Sequence, residues 1–250
     1  MTSPNPETDR TVLRVTGADA GDFLQNLVTN DVGRLDRGPV YAALLTPQGK
    51  LIADFIMVAE GDAILIDVAT IWAKGLLQRL TMYRLRAAVQ IDETDLQVRR
   101  GTGEAPEGAV ADPRHPALGW RLYGAEGGDD GTDWDAVRVQ AGVPASGIEL
   151  GPESYILEVG FERLNGVDFR KGCYVGQEIA ARMKHKTELR KGLRVMGLDG
   201  TAPVGTEILR DGKPVGTLFT QSGDKALAYV RFDRLGDGMV AGSAKVIDRG

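Results

Sequence analysis

The sequence predicts an α+β fold, with helices laid against antiparallel sheets, followed by a small barrel-like β domain. Three features carry this. Residues 39–69, "PVYAALLTPQGKLIADFIMVAEGDAILIDVA", are three apolar runs split by the turns "TPQGK" and "AEGDA", the pattern of an antiparallel meander. The stretches before and after it change to helical periodicity. Beyond residue 187 the runs shorten and are punctuated by "LDG", "RDGK" and "SGD", as in a small closed or nearly closed sheet. The 33 glycines follow no Gly-X-Y period and suit a chain of many tight turns.

Taken in order, "TVLRVTG" alternates like a short strand. "ADAGDFLQNLVTND" then offers Asp19 as an N-cap, with Phe23, Leu24, Leu27 and Val28 on one helical face. After the meander, "TIWAKGLLQRLTMYRLRAAVQIDE" reads as a helix over roughly residues 70–80 that runs into a strand at "RLRAAVQI". Residues 101–119 are rich in Gly, Pro and Ala and read as a loop, "GWRLYG" as a strand and "EGGDDGTD" as a surface turn. "TDWDAVRVQAGV" has the caps of a helix, and "PASGIELGPESYI" is an irregular connection. "GQEIAARMK" starts a further helix, with Ile179 and Met183 facing inward and Glu178 placed to pair with Arg182. The division falls between a first part, 1–186, and a C-terminal part, 187–250.

Composition narrows the function. A net charge of −5 argues against stable nucleic-acid binding. One cysteine excludes a disulfide scaffold and fits a reducing compartment, and two histidines, His115 and His185, are too few for a self-contained zinc or iron site. The polar start "MTSPNPETDRTVLRV" lacks the layout of a signal peptide, and no apolar run nears the ~20 residues of a membrane span. The expected location is the cytoplasm, with no membrane partner.

The candidate chemistry centres on "NGVDFRKGCYVGQEIAARMKHK". Gly172 and Gly176 flank Cys173 and permit backbone angles or close approaches that other residues resist. Arg170, Lys171 and the following helix N-terminus favour a thiolate. Against this, free cysteines are among the most buried residue types, Lys171 and Arg182 are by default solvated, and His185 can equally be an exposed side chain. Asp54, inside the apolar run "KLIADFIMV", must be paired, hydrogen-bonded or shifted in pKa if buried; the alternative is a cap or an outward-pointing acid. Arg114, His115 and Trp120 could serve a flat, carboxylate-tailed ligand or could pack a loop on a sheet. No phosphate-binding loop, dinucleotide fingerprint or Ser-His-Asp pattern is present.

The segment "KGCYVGQE" closely resembles the signature of the YgfZ/IBA57 (CAF17-like) family, folate-binding relatives of the glycine-cleavage T-protein. "DFLQNLVTNDV", "AALLTPQGKLIADFIM", "DPRHPALGWRL" and "GKPVGTLFTQSGDKALAYVR" extend the resemblance over nearly the whole chain. It implies a T-protein-like fold whose cavity holds tetrahydrofolate. It also implies a role in assembly, maturation or repair of 4Fe–4S proteins, including radical-SAM and tRNA-modifying enzymes. The implied partners are 4Fe–4S client enzymes and other assembly factors. Carried over, the functional thiol is Cys173, framed by Lys171, Gly172, Gly176, Gln177 and Glu178. Asp54 matches the folate-contacting aspartate of T-proteins, although Ala53 stands where those proteins have a second acid, and Arg182 matches the family's arginine after "GQE". Arg114 joins Asp54, Gln177, Glu178 and Arg182 as an expected folate contact. Cys173 could also be a transient ligand of a cluster shared with a partner. The alternatives are an aminomethyltransferase of the T-protein type and a non-enzymatic, folate-responsive adaptor.

Overall fold

The computed structural model describes residues 9–186 and 188–249. The first eight residues, which open the polar N-terminal stretch, and Thr187, where the two parts were expected to divide, lie outside the described residues.

The first sheet comprises β1 (Arg10–Thr16), β2 (Val40–Leu45), β3 (Leu51–Glu60), β4 (Ala63–Ala69) and β5 (Gln90–Glu93). They lie in the order β2-β3-β4-β1-β5 and are antiparallel throughout, so the predicted meander is its backbone. Every residue of β2 is buried, so the sheet is covered on both faces there. On one face α1 (Ala20–Gln25) and α2 (Thr70–Arg84) bring Phe23, Leu24, Leu76 and Leu80 against Leu13, Phe55 and Ile66. Tyr41, Asp54, Ile56 and Asp67 point the other way, by the alternation of strand side chains, into the middle of the molecule.

A second sheet covers part of that inner face. It comprises β6 (Gln97–Gly101), β7 (Val110–Ala111), β8 (Trp120–Gly124) and β9 (Gly128–Asp129), in the order β7-β8-β6-β9. The stretch read as a loop at 101–119 thus contributes a strand, and the turn "EGGDDGTD" contributes β9, whose pairing with β6 is parallel. Buried charges join the sheets: Arg121 of β8 donates to Asp112 (2.8 Å) and to Asp67 of β4 (2.8 Å).

Two further expectations are corrected. The second helix continues to Arg84, and "RLRAA" is not strand. Leu85 adopts φ 45°, which stops the helix, and pairing begins only at Gln90. In α4 (Gln177–Lys186), Ile179 and Met183 turn inward as expected, but Glu178 and Arg182 are exposed and form no ion pair with each other among the described residues. α3 (Trp134–Ala141) is capped as its sequence predicts, with Asp133 accepting from Ala136 N at 3.0 Å and Gly142 left-handed at the end.

The C-terminal part is a closed barrel of β10 (Lys191–Asp199), β11 (Glu207–Arg210), β12 (Lys213–Ser222), β13 (Lys225–Arg231), β14 (Met239–Ala241) and β15 (Ala244–Ile247). Met196, Ile208, Leu218 and Val230 fill it. It is tied to the first part by the fully buried Arg138 of α3, which donates to Glu149 (3.1 Å) and to Thr220 of β12 (3.1 Å). Among the described residues no helix is long and apolar enough to cross a membrane.

Candidate functional site

The cysteine motif is laid across the loop that follows α1. Thr29 Oγ1 donates to the carbonyl of Gly166 (2.7 Å), and the Asp168 amide donates back to Thr29 (3.1 Å). Asn30 Nδ2 donates to the carbonyls of Asn165 (2.6 Å) and Tyr41 (2.8 Å). Lys171 is not a solvated residue: its ammonium is buried and donates to the carbonyls of Gln25 (2.5 Å), the last residue of α1, and Val28 (2.6 Å), just past it. Burial pushes its pKa down to about 8, against the opposing pull of Asp31, Asp168 and the charge on Cys173.

That shift has a sign that can be measured. Between pH 8 and the ordinary lysine value of 10.5, the unfolded chain still holds a proton that the folded chain has released. Stability contributed by this group therefore rises with pH across that window. Wild type should gain stability relative to Lys171→Met as denaturant titrations move through it; a difference that stays flat would refute the shift.

Past Lys171 the chain seats itself on the turn of the β2–β3 hairpin. Gly176 has φ +82°, and a Cβ there would lie 2.6 Å from the backbone oxygen of Thr46. Gly49, in that turn, would in the same way strike Ile179 Cβ at 2.8 Å. Gly172 differs from the expectation: its φ is not positive, and a Cβ at that position would meet no atom within 4 Å. Cys173 is exposed, which overturns the alternative of a buried structural cysteine. Its neighbour Tyr174 is buried with its hydroxyl unpartnered among the described residues, and burial raises that phenol to about 12. Among the described residues no group of three His, Cys, Asp or Glu side chains could hold a metal ion.

Beside this loop lies a cleft of about 470 Å³ lined by Asn30, Arg34, Arg37, Tyr41, Pro113 and Asn165, among others. Arg34 pairs with Asp168 of the motif loop. Behind the Tyr41 ring sits Asp54, which accepts from Tyr41 Oη (3.0 Å) and from Ser146 Oγ (2.6 Å). Burial, followed by the Asp54 charge, holds the Tyr41 hydroxyl well above its ordinary pKa, so it stays a donor. Arg114 lies 5.8 Å from the centre of the same ring and forks onto Asp112 at 3.0 and 2.9 Å.

The predicted residues therefore fall into separate places. Asp54 and Arg114 stand behind Tyr41, and neither lines the cleft. Gln177, Glu178 and Arg182 sit on α4, and they do not line it either. Cys173 and Lys171 belong to the loop between these two groups. His115 caps the turn at Pro116–Leu118 by accepting from Ala117 N, and Trp120 donates to Gly103. His185 is exposed, edge-on to Phe169. The residues of the cleft wall, Arg34, Arg37, Tyr41 and Asn165, carried no signal of their own in the sequence.

The fold is that of the glycine-cleavage T-protein class. The chain superimposes on the crystal structure of glycine cleavage system aminomethyltransferase T from Bartonella henselae with a TM-score of 0.74, covering 96% of this chain and 82% of that one at 12% identity. Residues 190–247 match the family model of the CAF17 C-terminal β-barrel domain. The human mitochondrial iron-sulfur cluster assembly factor IBA57 is 31% identical over 90% of this chain and 76% of its own length. The mitochondrial IBA57 homologue of Mycosarcoma maydis is 33% identical over 78% of this chain, which spans 57% of that protein. The chain belongs to the IBA57/CAF17-like family.

Proposed function

We propose that the chain binds tetrahydrofolate in the cleft beside Tyr41 and serves the assembly, maturation or repair of 4Fe–4S proteins in the cytoplasm, radical-SAM and tRNA-modifying enzymes among them. The observation that carries this reading is shared wiring. Asn30 and Asn165 line the cleft and are hydrogen-bonded to each other, and the same two segments hold the loop that presents Cys173. A ligand in the cleft is thereby connected to the thiol.

The donor set fits a reduced folate in size and sign. A cleft of about 470 Å³ is in the range that encloses a molecule of that size, Tyr41 offers a flat wall, and Arg34 and Arg37 suit its glutamate carboxylates. Tetrahydrofolate supplies the one-carbon chemistry of its N5 and N10 nitrogens. Asp54 and Ser146 fix the Tyr41 hydroxyl, and Arg114 packs near its ring. A 4Fe–4S cluster commonly needs four thiolates and this chain supplies one, so any iron or sulfur on Cys173 is shared with a partner.

Two measurements test the reading. Calorimetry should detect tetrahydrofolate binding that Arg37→Glu weakens by about tenfold; absence of binding to the wild type refutes the ligand. Cys173→Ala, at an exposed position, should leave unfolding unchanged yet lower the activity of 4Fe–4S client enzymes in cells. Full client activity in that strain refutes the thiol's role.

A further inference from the structure

Away from the cleft, α2 shows an unusual outer face. It buries Ala73, Leu76 and Leu80 under the sheet, but turns Ile71, Met82 and, just past its end, Leu85 to solvent at 57%, 54% and 88% exposure. Leu85 also has φ 45° and ψ −105°, a backbone conformation that a branched apolar residue adopts only at a cost. The charge is as one-sided as the shape. Residues 70–86 contain Lys74, Arg79, Arg84 and Arg86 and no acid, in a chain whose net charge is −5. Arg84 donates to the carbonyl of Val89 (3.4 Å), while Lys74, Arg79 and Arg86 have no hydrogen-bond or ion-pair partner among the described residues. A solvated helix ordinarily mixes both signs along its face.

The location matters. β3 and β4 pair antiparallel with Phe55 beside Val68, so the start of α2 lies at the sheet edge that also carries the hairpin turn under the cysteine motif. Trp72 of α2 and Val175 of the motif pack against one and the same core. From that edge the basic face runs away over roughly 20 Å of helix.

We propose that this face docks an acidic protein surface with an apolar pocket for Met82 and Leu85, and that it holds a client while Cys173 is presented at the adjoining edge. The client role rests on the function proposed above; the docking does not. A protein suits the face better than a bilayer does. The exposed aliphatics sit at opposite ends, with Gly75 and Gln78 between them, and the aromatic residues Trp72 and Tyr83 pack inward, whereas an interfacial helix needs one continuous apolar face.

The test uses a fluorescent helical peptide of Glu and Leu, in anisotropy titrations at low and at physiological salt. Saturable binding to the wild type is expected, weakened about tenfold by Arg79→Glu with Arg86→Glu and also by salt. Leu85→Gly, which accepts a positive φ without strain, should bind more weakly while its unfolding temperature does not fall. Cys173→Ala should bind as the wild type does, which separates failure here from failure of the thiol's role. No peptide binding, equal binding by the variants, or pelleting with phosphatidylserine vesicles without peptide binding would overturn docking to a protein. In cells, Arg79→Glu with Arg86→Glu should lower client activity while tetrahydrofolate binding stays intact; unchanged activity would overturn the client role.

Discussion

Arg121→Met should cost about 3–5 kcal/mol of unfolding free energy, read as a lower denaturant midpoint. Arg14→Ala, in the exposed pair with Glu60, should cost less than about 1 kcal/mol. The contrast follows from burial. Arg121 is 2% exposed and spans two carboxylates, Asp67 at 2.8 Å and Asp112 at 2.8 Å, whose other cations are Arg10 and Arg114. Met keeps much of the volume, so the loss comes from two buried acids each left with one cation fewer. Burial alone would raise both carboxyls, but Arg10 and Arg121 around Asp67, and Arg114 and Arg121 around Asp112, hold them below the ordinary range. Groups with depressed folded pKa values contribute stability above the unfolded carboxylate pKa and lose it as pH falls through the folded one. Arg121→Met should therefore flatten the acid limb of the stability curve, and an unchanged limb would show that the network is not what holds these two pKa values down.

That network also marks where sequence reading stops. An acid inside an apolar strand drew attention to Asp54, and the same signal is present at Asp67 in "AILIDVA". Its partners cannot be seen there: Arg10 lies 57 residues away and reaches Asp67 only when β1 pairs with β4, and Arg121, 54 residues away, only when the second sheet closes on the first. The meander and the barrel were legible because alternation and turn residues are local. The cleft was not, because Asn30, Tyr41, Pro113 and Asn165 come from separate segments, each with an ordinary local role. Lys171 looked like a surface cation for a related reason. Nothing near it in sequence marks the carbonyls of Gln25 and Val28 that it serves, which lie more than a hundred residues earlier. Cys173 was found by its motif, while its exposure was decided by how that motif is seated.

Gly176→Ala should silence the motif with Cys173 and Lys171 both still in place. The left-handed conformation alone costs about 1–2 kcal/mol for a residue with a Cβ. The new carbon would also sit 2.6 Å from the Thr46 backbone oxygen, which cannot move without dragging the hairpin turn. The cheapest relief is for the motif loop to lift away from β2–β3, which would carry Cys173 off the hairpin turn. Client activity should fall as far as it does for Cys173→Ala, and amides of residues 172–178 should exchange hydrogen faster while those of the β1–β4 core keep their protection. Gly172→Ala is the internal control, because that position has ordinary φ and open space around it, so its stability should stay within about 0.5 kcal/mol of the wild type. Equal exchange in the two variants would mean that the close approach of Gly176 to the hairpin does not hold the cysteine loop, and that the anchors at Thr29, Asn30 and Lys171 suffice on their own.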